Sequence, residues 1–247
     1  MHSGPIQVLQ AANRPSAYTR RARLIVAGAT GVLGNEVLQR LVGAQQYESV
    51  QVLAREPIKA GLRGVTTTVV AGDAPGQWEP ASADAGVILF DPPRLFYDRE
   101  RALWTPRPEQ LEAVARWMRA SGVSTLAVVL PHAQGRLPEA LKRGLAGLDE
   151  HAVAAMGFER VLFVRSAQKP APAARAGVLP AIAHWMLSIF KYMVPSSEQP
   201  VRAVKVAQFV ATALQLAPPG IHVAAPEVVW QAAQGDLPQS VRQWLHR

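Results

Sequence analysis

The chain has 247 residues, 49% of them hydrophobic, enough to bury a sizeable core in one large α/β domain or two small ones. It carries 26 Lys and Arg against 18 Asp and Glu, a formal charge of +8, and no cysteine, which excludes disulfides and thiolate chemistry and suits a reducing, cytoplasmic setting. No run of about 18 apolar residues exists to span a membrane, and the first residues lack the continuous apolar stretch of a secretory signal. The basic balance could favour polyanions, but the cations are scattered. The densest group is Arg20, Arg21 and Arg23. No aromatic-rich reader accompanies it, so no nucleic-acid partner is expected.

Residues 1–22, with Pro5 and Pro15, read as an extension outside the core. The segment ARLIVAGATGVLGNEVLQRLVG follows. Leu24–Ala27 is an apolar run ending at glycine, and Val32, Leu33, Val37, Leu38 and Leu41 then recur at helical spacing. The alternation continues with predicted strands at Ser49–Arg55, Val65–Asp73 and Ala85–Asp91, an amphipathic helix over Pro108–Gly122, a fifth strand over Val123–Leu130, a long helix over Leu137–Met156 and a sixth strand over Arg160–Ala167. Continuous apolar strands separated by helices predict a Rossmann-type, doubly wound parallel sheet spanning residues 23–168.

From Lys169 a Pro/Ala-rich connection leads into residues 169–247, expected to form a small C-terminal lobe of the same domain. Its predicted elements are helices at Ala181–Met193 and Ala203–Leu216, a short strand near Ile221–Ala224 and two short terminal helices. The apolar face of Val178–Pro195 is interrupted by Pro180, His184 and Lys191, which argues for packing on the sheet rather than spanning a bilayer.

Gly28, Gly31 and Gly34 form G-x-x-G-x-x-G between a strand and a helix, which makes the spacing specific. Gly28 permits the tight turn, Gly31 a close backbone approach to a pyrophosphate, and Gly34 close packing of helix on strand. The helix N-terminus offers free N–H groups and partial positive charge to phosphates. Thr30, Val32 and Leu33 belong to the same cradle. Arg55 ends the second predicted strand, 21 residues after Gly34, where an NAD site holds an acidic residue for the ribose. A guanidinium there suits a 2′-phosphate, so NADP is expected over NAD. Asp73 is placed to meet the adenine edge. Asp91, at the end of the fourth strand, would face phosphates unless it points away or meets Arg94, and is assigned a structural role.

With these motifs the chain resembles the atypical short-chain dehydrogenase/reductase superfamily, in particular its small NAD(P)H-binding branch of Tat-interacting-protein-like and NmrA-like proteins. VAGATGVLGNEVLQRLV is similar to that branch's opening signature, GFERVLFVRSA to its sixth strand (with Ser166 where a proline is usual after Arg165), and PVRAVKVAQFVATALQ to its late helix motif. The resemblance runs over residues 23–215 and implies a bound dinucleotide. It also implies a Ser or Thr ending strand five and a Tyr-x-x-x-Lys on the next helix, where the tyrosine moves the substrate proton, the lysine lowers its pKa and holds the ribose, and the serine orients the substrate.

That triad is not kept. Counting back from Arg165, Gly147 and Glu150 match the family's glycine and glutamate, which puts Ala146 at the lysine, Lys142 at the tyrosine and Leu130 at the serine, with Pro131 next. In the other register Lys142 is the lysine and Pro138 stands at the tyrosine. No tyrosine in the chain has a lysine four residues on. The remaining candidates for moving a proton are Lys142, if desolvated, and His132, beyond the end of strand five. Leu130 and Pro131 would line the cofactor. Tyr97 and Asp98 could overhang the pocket. The six histidines are dispersed, so no metal is expected.

Two functions follow as expectations: an NADP-dependent oxidoreductase with a non-standard proton donor acting on a small molecule, or a non-catalytic dinucleotide sensor acting on a protein partner. A third is an assembly protein with a structural nucleotide.

Overall fold

The structure is a computed structural model that describes residues 21–58, 64–94, 97–132, 147–167 and 201–246. Seven strands form one sheet in the order β3-β2-β1-β4-β5-β6-β7, and every adjacent pair is parallel. The strands are β1 (Ala22–Ala27), β2 (Tyr47–Ala54), β3 (Val65–Val69), β4 (Ala85–Leu89), β5 (Thr125–His132), β6 (Arg160–Ala167) and β7 (Gly220–Ala224). This is the expected doubly wound α/β sheet. The strand order reverses between β1 and β4, which opens a crevice at the carboxyl edge, the usual ligand position in such sheets.

Helices cover both faces. On one lie α1 (Gly31–Gly43), α5 (Ala203–Leu216), α6 (Pro226–Gln234) and α7 (Leu237–Leu245), whose apolar sides meet the buried Leu24, Val26, Val52, Val87 and Leu162. On the other lie α3 (Leu111–Ala120) and α4 (Leu148–Ala154), packed on Ile25, Ile88, Leu126, Val128 and Phe163. A single turn, α2 (Asp98–Ala102), lies between β4 and α3. Leu24–Ala27 are wholly inaccessible, as a central strand covered on both faces requires. The described part of residues 169–247 joins this sheet directly: β7 extends it beyond β6, and α5 packs on α1.

Several expected boundaries shift. The third and fourth strands stop early, at Val69 and Leu89, because the chain turns out of the ladder, first at Gly72 (φ +68°) and then into DPPR. The predicted helix Pro108–Gly122 opens with a 3₁₀ turn at Pro108–Gln110, leaving α3 at Leu111–Ala120. Strand five runs longer than expected: Pro131 and His132 are its last two residues, opposite Ser166 and Ala167 of β6. His132 is therefore on a strand rather than in a loop after it, because the equally long β6 supplies partners to the end. Of the predicted helix Leu137–Met156, the portion from Leu148 to Ala154 is observed. Residues 133–146, and with them Lys142 and Pro138, lie outside the described residues, as do the predicted helix Ala181–Met193 and the N-terminal extension.

One buried ion pair ties a helix to the sheet. Arg165 on β6 donates to Glu150 on α4 at 2.6 Å, with side chains 2% and 10% exposed. Among the described residues, no helix is long and apolar enough to cross a membrane.

Candidate functional site

The glycine turn joins β1 to α1 at the crevice. Gly28 and Gly31 adopt φ of +80° and +68°, in the left-handed region that glycine alone enters without penalty. Gly34 lets α1 press on the turn: a Cβ there would stand 2.5 Å from the Gly28 carbonyl oxygen. Thr30, at the N-cap, is fully buried and does not use its side chain to cap the helix. Its hydroxyl donates to the Asp91 carbonyl at 2.5 Å and lies 2.9 Å from the Thr105 hydroxyl. Val32 is exposed, and Leu33 packs into the core beneath α1.

The first amides of α1 point into the crevice, where a helix start holds unsatisfied donors. Two carboxylates from the segment after β4 take them. Glu100 Oε2 accepts from the Gly31 amide at 3.0 Å, and Asp91 Oδ2 accepts from the Leu33 amide at 3.0 Å. Glu100 is held on its other side by Arg94, whose Nε donates to Oε1 at 2.7 Å, whose Nη2 also reaches Oε1, and whose amide donates to Oε2 at 2.9 Å. Arg94 in turn covers the Tyr97 ring, 3.8 Å from its centroid.

These contacts set the protonation of the two acids in opposite directions. Burial pushes the Asp91 carboxyl up; the Leu33 amide opposes this and the neighbouring Glu100 charge adds to it, for a net rise. Burial alone would raise Glu100 too, but the hydrogen bonds from the Arg94 side chain and from the amides of Arg94 and Gly31 outweigh it, and its carboxyl titrates lower than usual.

Glu100, lowered on folding, stabilises the protein above the ordinary carboxylate range and loses that contribution as pH falls through its folded value. Asp91, raised on folding, takes its proton first, and its ionised form costs stability above that point. Glu100→Gln should therefore lose about 2 kcal/mol at pH 7. The gap to the unaltered protein should narrow as pH falls below about 4. Urea denaturation at pH 7 and in acid would measure both, and a gap that stays constant would contradict this account.

The same segment closes the adjoining half of the crevice. Residues Ala102–Trp104 lie antiparallel against the end of β2: the Arg55 amide donates to the Ala102 carbonyl at 2.8 Å, the Trp104 amide to the Leu53 carbonyl at 2.9 Å, and the Gly28 amide to the Trp104 carbonyl at 3.2 Å. The Trp104 side chain is fully buried, edge-on to Trp78 with ring centroids 4.7 Å apart. Its Nε1 donates to Asp73 Oδ1 at 2.9 Å, and the same oxygen meets Arg55 Nη1 at 2.9 Å. The two residues expected to contact the ribose and the adenine thus form an ion pair with each other, both sides about half exposed.

The crevice therefore brings together Gly28, Thr30, Gly31, Leu33, Gly34, Arg55 and Asp73. Val32 faces outward beside it. Leu130, half buried, packs in the core on the α3 and α4 side, opposite Arg165. Pro131 and His132 are placed by their backbone at the end of β5. Tyr97 lies under Arg94, and Asp98 pairs with Arg101 at the surface. Glu100, Trp104 and Thr105 were not anticipated. The only hint was composition: acids recur within the Arg-rich run YDRERALW, with no spacing to say which reaches the helix.

In this conformation the cradle does not fit a pyrophosphate. Glu100 and Asp91 hold the amides that phosphate oxygens would need, and their negative charge repels one. No group of three or more potential metal ligands occurs among the described residues.

No family model matches the chain, and no curated protein matches it. Solved structures do resemble it. Triphenylmethane reductase from Citrobacter sp., complexed with NADP(H), is 18% identical over 82% of this chain and 69% of its own, with a TM-score of 0.49. A nucleoside-diphosphate-sugar epimerase from Staphylococcus aureus is 11% identical over 86% and 77%, at 0.48. The Bordetella bronchiseptica enzyme WbmH, complexed with NAD+, is 13% identical over 85% and 79%, at 0.46. At these identities and scores they assign no activity to this chain, and the fold rests on the sheet order itself.

Proposed function

We propose that this protein is a nucleotide-responsive regulatory protein built on a short-chain-dehydrogenase-like scaffold, and that its crevice serves binding rather than turnover. The observation that carries this reading is the Glu100 carboxylate on the Gly31 amide. An enzyme that cycles a dinucleotide needs those donors free. Here an anion belonging to the chain already satisfies them. Support also comes from the sequence, which has no Tyr-x-x-x-Lys and ends its fifth strand in Leu130, Pro131 and His132 in place of a serine.

The ligand class is an NADP-type dinucleotide. Arg55 at the end of β2 offers a half-exposed guanidinium for a 2′-phosphate, paired with Asp73 at 2.9 Å. The output is a change in contact with a protein partner. No proton transfer is assigned to His132 or Lys142.

The test is a turnover assay with the full chain. NADPH oxidation would be followed across aldehydes, ketones and activated alkenes at millimolar cofactor. No oxidation above the buffer rate is expected. Steady turnover that falls in His132→Ala or Lys142→Ala would replace this reading with that of a reductase using a non-standard acid.

A further inference from the structure

We infer that the Glu100 carboxylate is an internal stand-in for a dinucleotide phosphate, so that it and the ligand compete for the donors at the start of α1. The inference rests on the regulatory reading above and supplies its mechanism.

The correspondence holds contact by contact. A phosphate at a helix start is held by backbone amides and a nearby cation. Glu100 is held by the Gly31 amide and by the Arg94 guanidinium and amide. Trp104, fully buried with its N–H on Asp73, anchors the far end of the segment in the core, and Thr105 meets the Thr30 hydroxyl at 2.9 Å. The backbone of the segment is stitched to Gly28, Leu53 and Arg55, the residues that border the crevice.

The Glu100 end of the segment is built to let go. Its helix, α2, is a single turn, and beyond Glu100 its side chains face outward: Asp98 and Arg101 pair at the surface. Arg94 is one-third exposed, so it can exchange the Glu100 carboxylate for a ligand phosphate without crossing the core. Each donor freed by Glu100 has a phosphate oxygen to replace it, which makes the exchange one anion for another. A ligand that binds only the open state has its apparent affinity reduced by the fraction of molecules that are open. The unaltered chain should thus bind weakly, and loosening the segment should strengthen binding.

The experiment measures NADPH and NADH binding by calorimetry to the full chain and to Glu100→Ala, with Glu100→Gln as a second variant should the first fold poorly. Glu100→Ala is expected to bind NADPH at least tenfold more tightly than the unaltered protein. Adding Arg55→Ala to it should reverse the gain for NADPH and leave NADH little changed. Limited trypsin digestion gives a readout without mutation: saturating NADPH should speed cleavage after Arg99 and Arg101, because the bound state expels α2, whereas an ordinary ligand protects. Equal affinity in all variants, or NADPH-dependent protection of Arg99 and Arg101, overturns the competition. Absence of NADPH binding in a folded Glu100→Ala also overturns it. Turnover by the unaltered chain would instead overturn the regulatory reading, whatever the variants do.

Discussion

Trp104→Ala should lower the unfolding free energy by about 3–5 kcal/mol, the range for removing a fully buried tryptophan from a core. The effect is large because three separate contacts end together. The indole fills space between β1, β2 and the α3 layer with no solvent exposure, stands edge-on to Trp78, and supplies the N–H bonded to Asp73. Trp78 in turn meets Trp117 on α3 at 5.4 Å, so the hole would open at the end of a row of three packed rings. Trp104→Phe separates the contributions: it keeps a ring against Trp78, worth about 0.5–1.5 kcal/mol, and drops the hydrogen bond, worth about 1 kcal/mol. Urea melts of the two variants should therefore differ by about 2 kcal/mol or more. A loss below about 1 kcal/mol for Trp104→Ala would mean that the indole is not packed as described.

Glu150→Ala should be almost as damaging, at about 3–5 kcal/mol, because it removes the carboxylate that the Arg165 guanidinium, 2% exposed, meets at 2.6 Å between α4 and the sheet. Breaking a buried pair by removing one member costs more than the pair contributes. The double variant Glu150→Leu with Arg165→Met should accordingly recover most of the loss, since apolar side chains of similar length remove the charge problem altogether. Thermal or urea unfolding of the single and double variants tests this directly. A double variant no better than the single would show that Arg165 is held chiefly by other contacts.

The parts of this molecule that were legible in its sequence are those written locally. Leu24–Ala27, Arg160–Ala167 and Ala203–Leu216 carry their periodicity in consecutive residues, and each was placed to within two residues. The glycine triplet was readable for the same reason: turn, approach and packing are demands on three positions within seven residues. Strand ends were less legible. His132 was expected beyond β5, because nothing within Val123–Leu130 reveals how far β6 extends to partner it.

The crevice was half legible. Arg55 and Asp73 were picked from their places at strand ends, and they do meet, although as partners of each other. Asp91 was expected to turn away or find Arg94. It faces the helix start and accepts from Leu33, and Arg94 goes to Glu100. The occupancy of the Gly31 amide by Glu100 spans 69 residues of chain and follows no period. It arises because a loop without repeating pattern folds back over a turn formed much earlier in the sequence. Local pattern can announce donors, but not which distant acceptor reaches them.

The tryptophan row also gives the protein a natural optical signature. Trp104, Trp78 and Trp117 stand nearly perpendicular in succession, at 4.7 and 5.4 Å. Indoles so close and so crossed share their electronic transitions, and a fixed chiral arrangement of this kind imprints a strong near-ultraviolet dichroism. One end of that row, Trp104, belongs to the segment that closes the crevice. The state of that crevice can be watched by light alone, with no label attached and no substrate known.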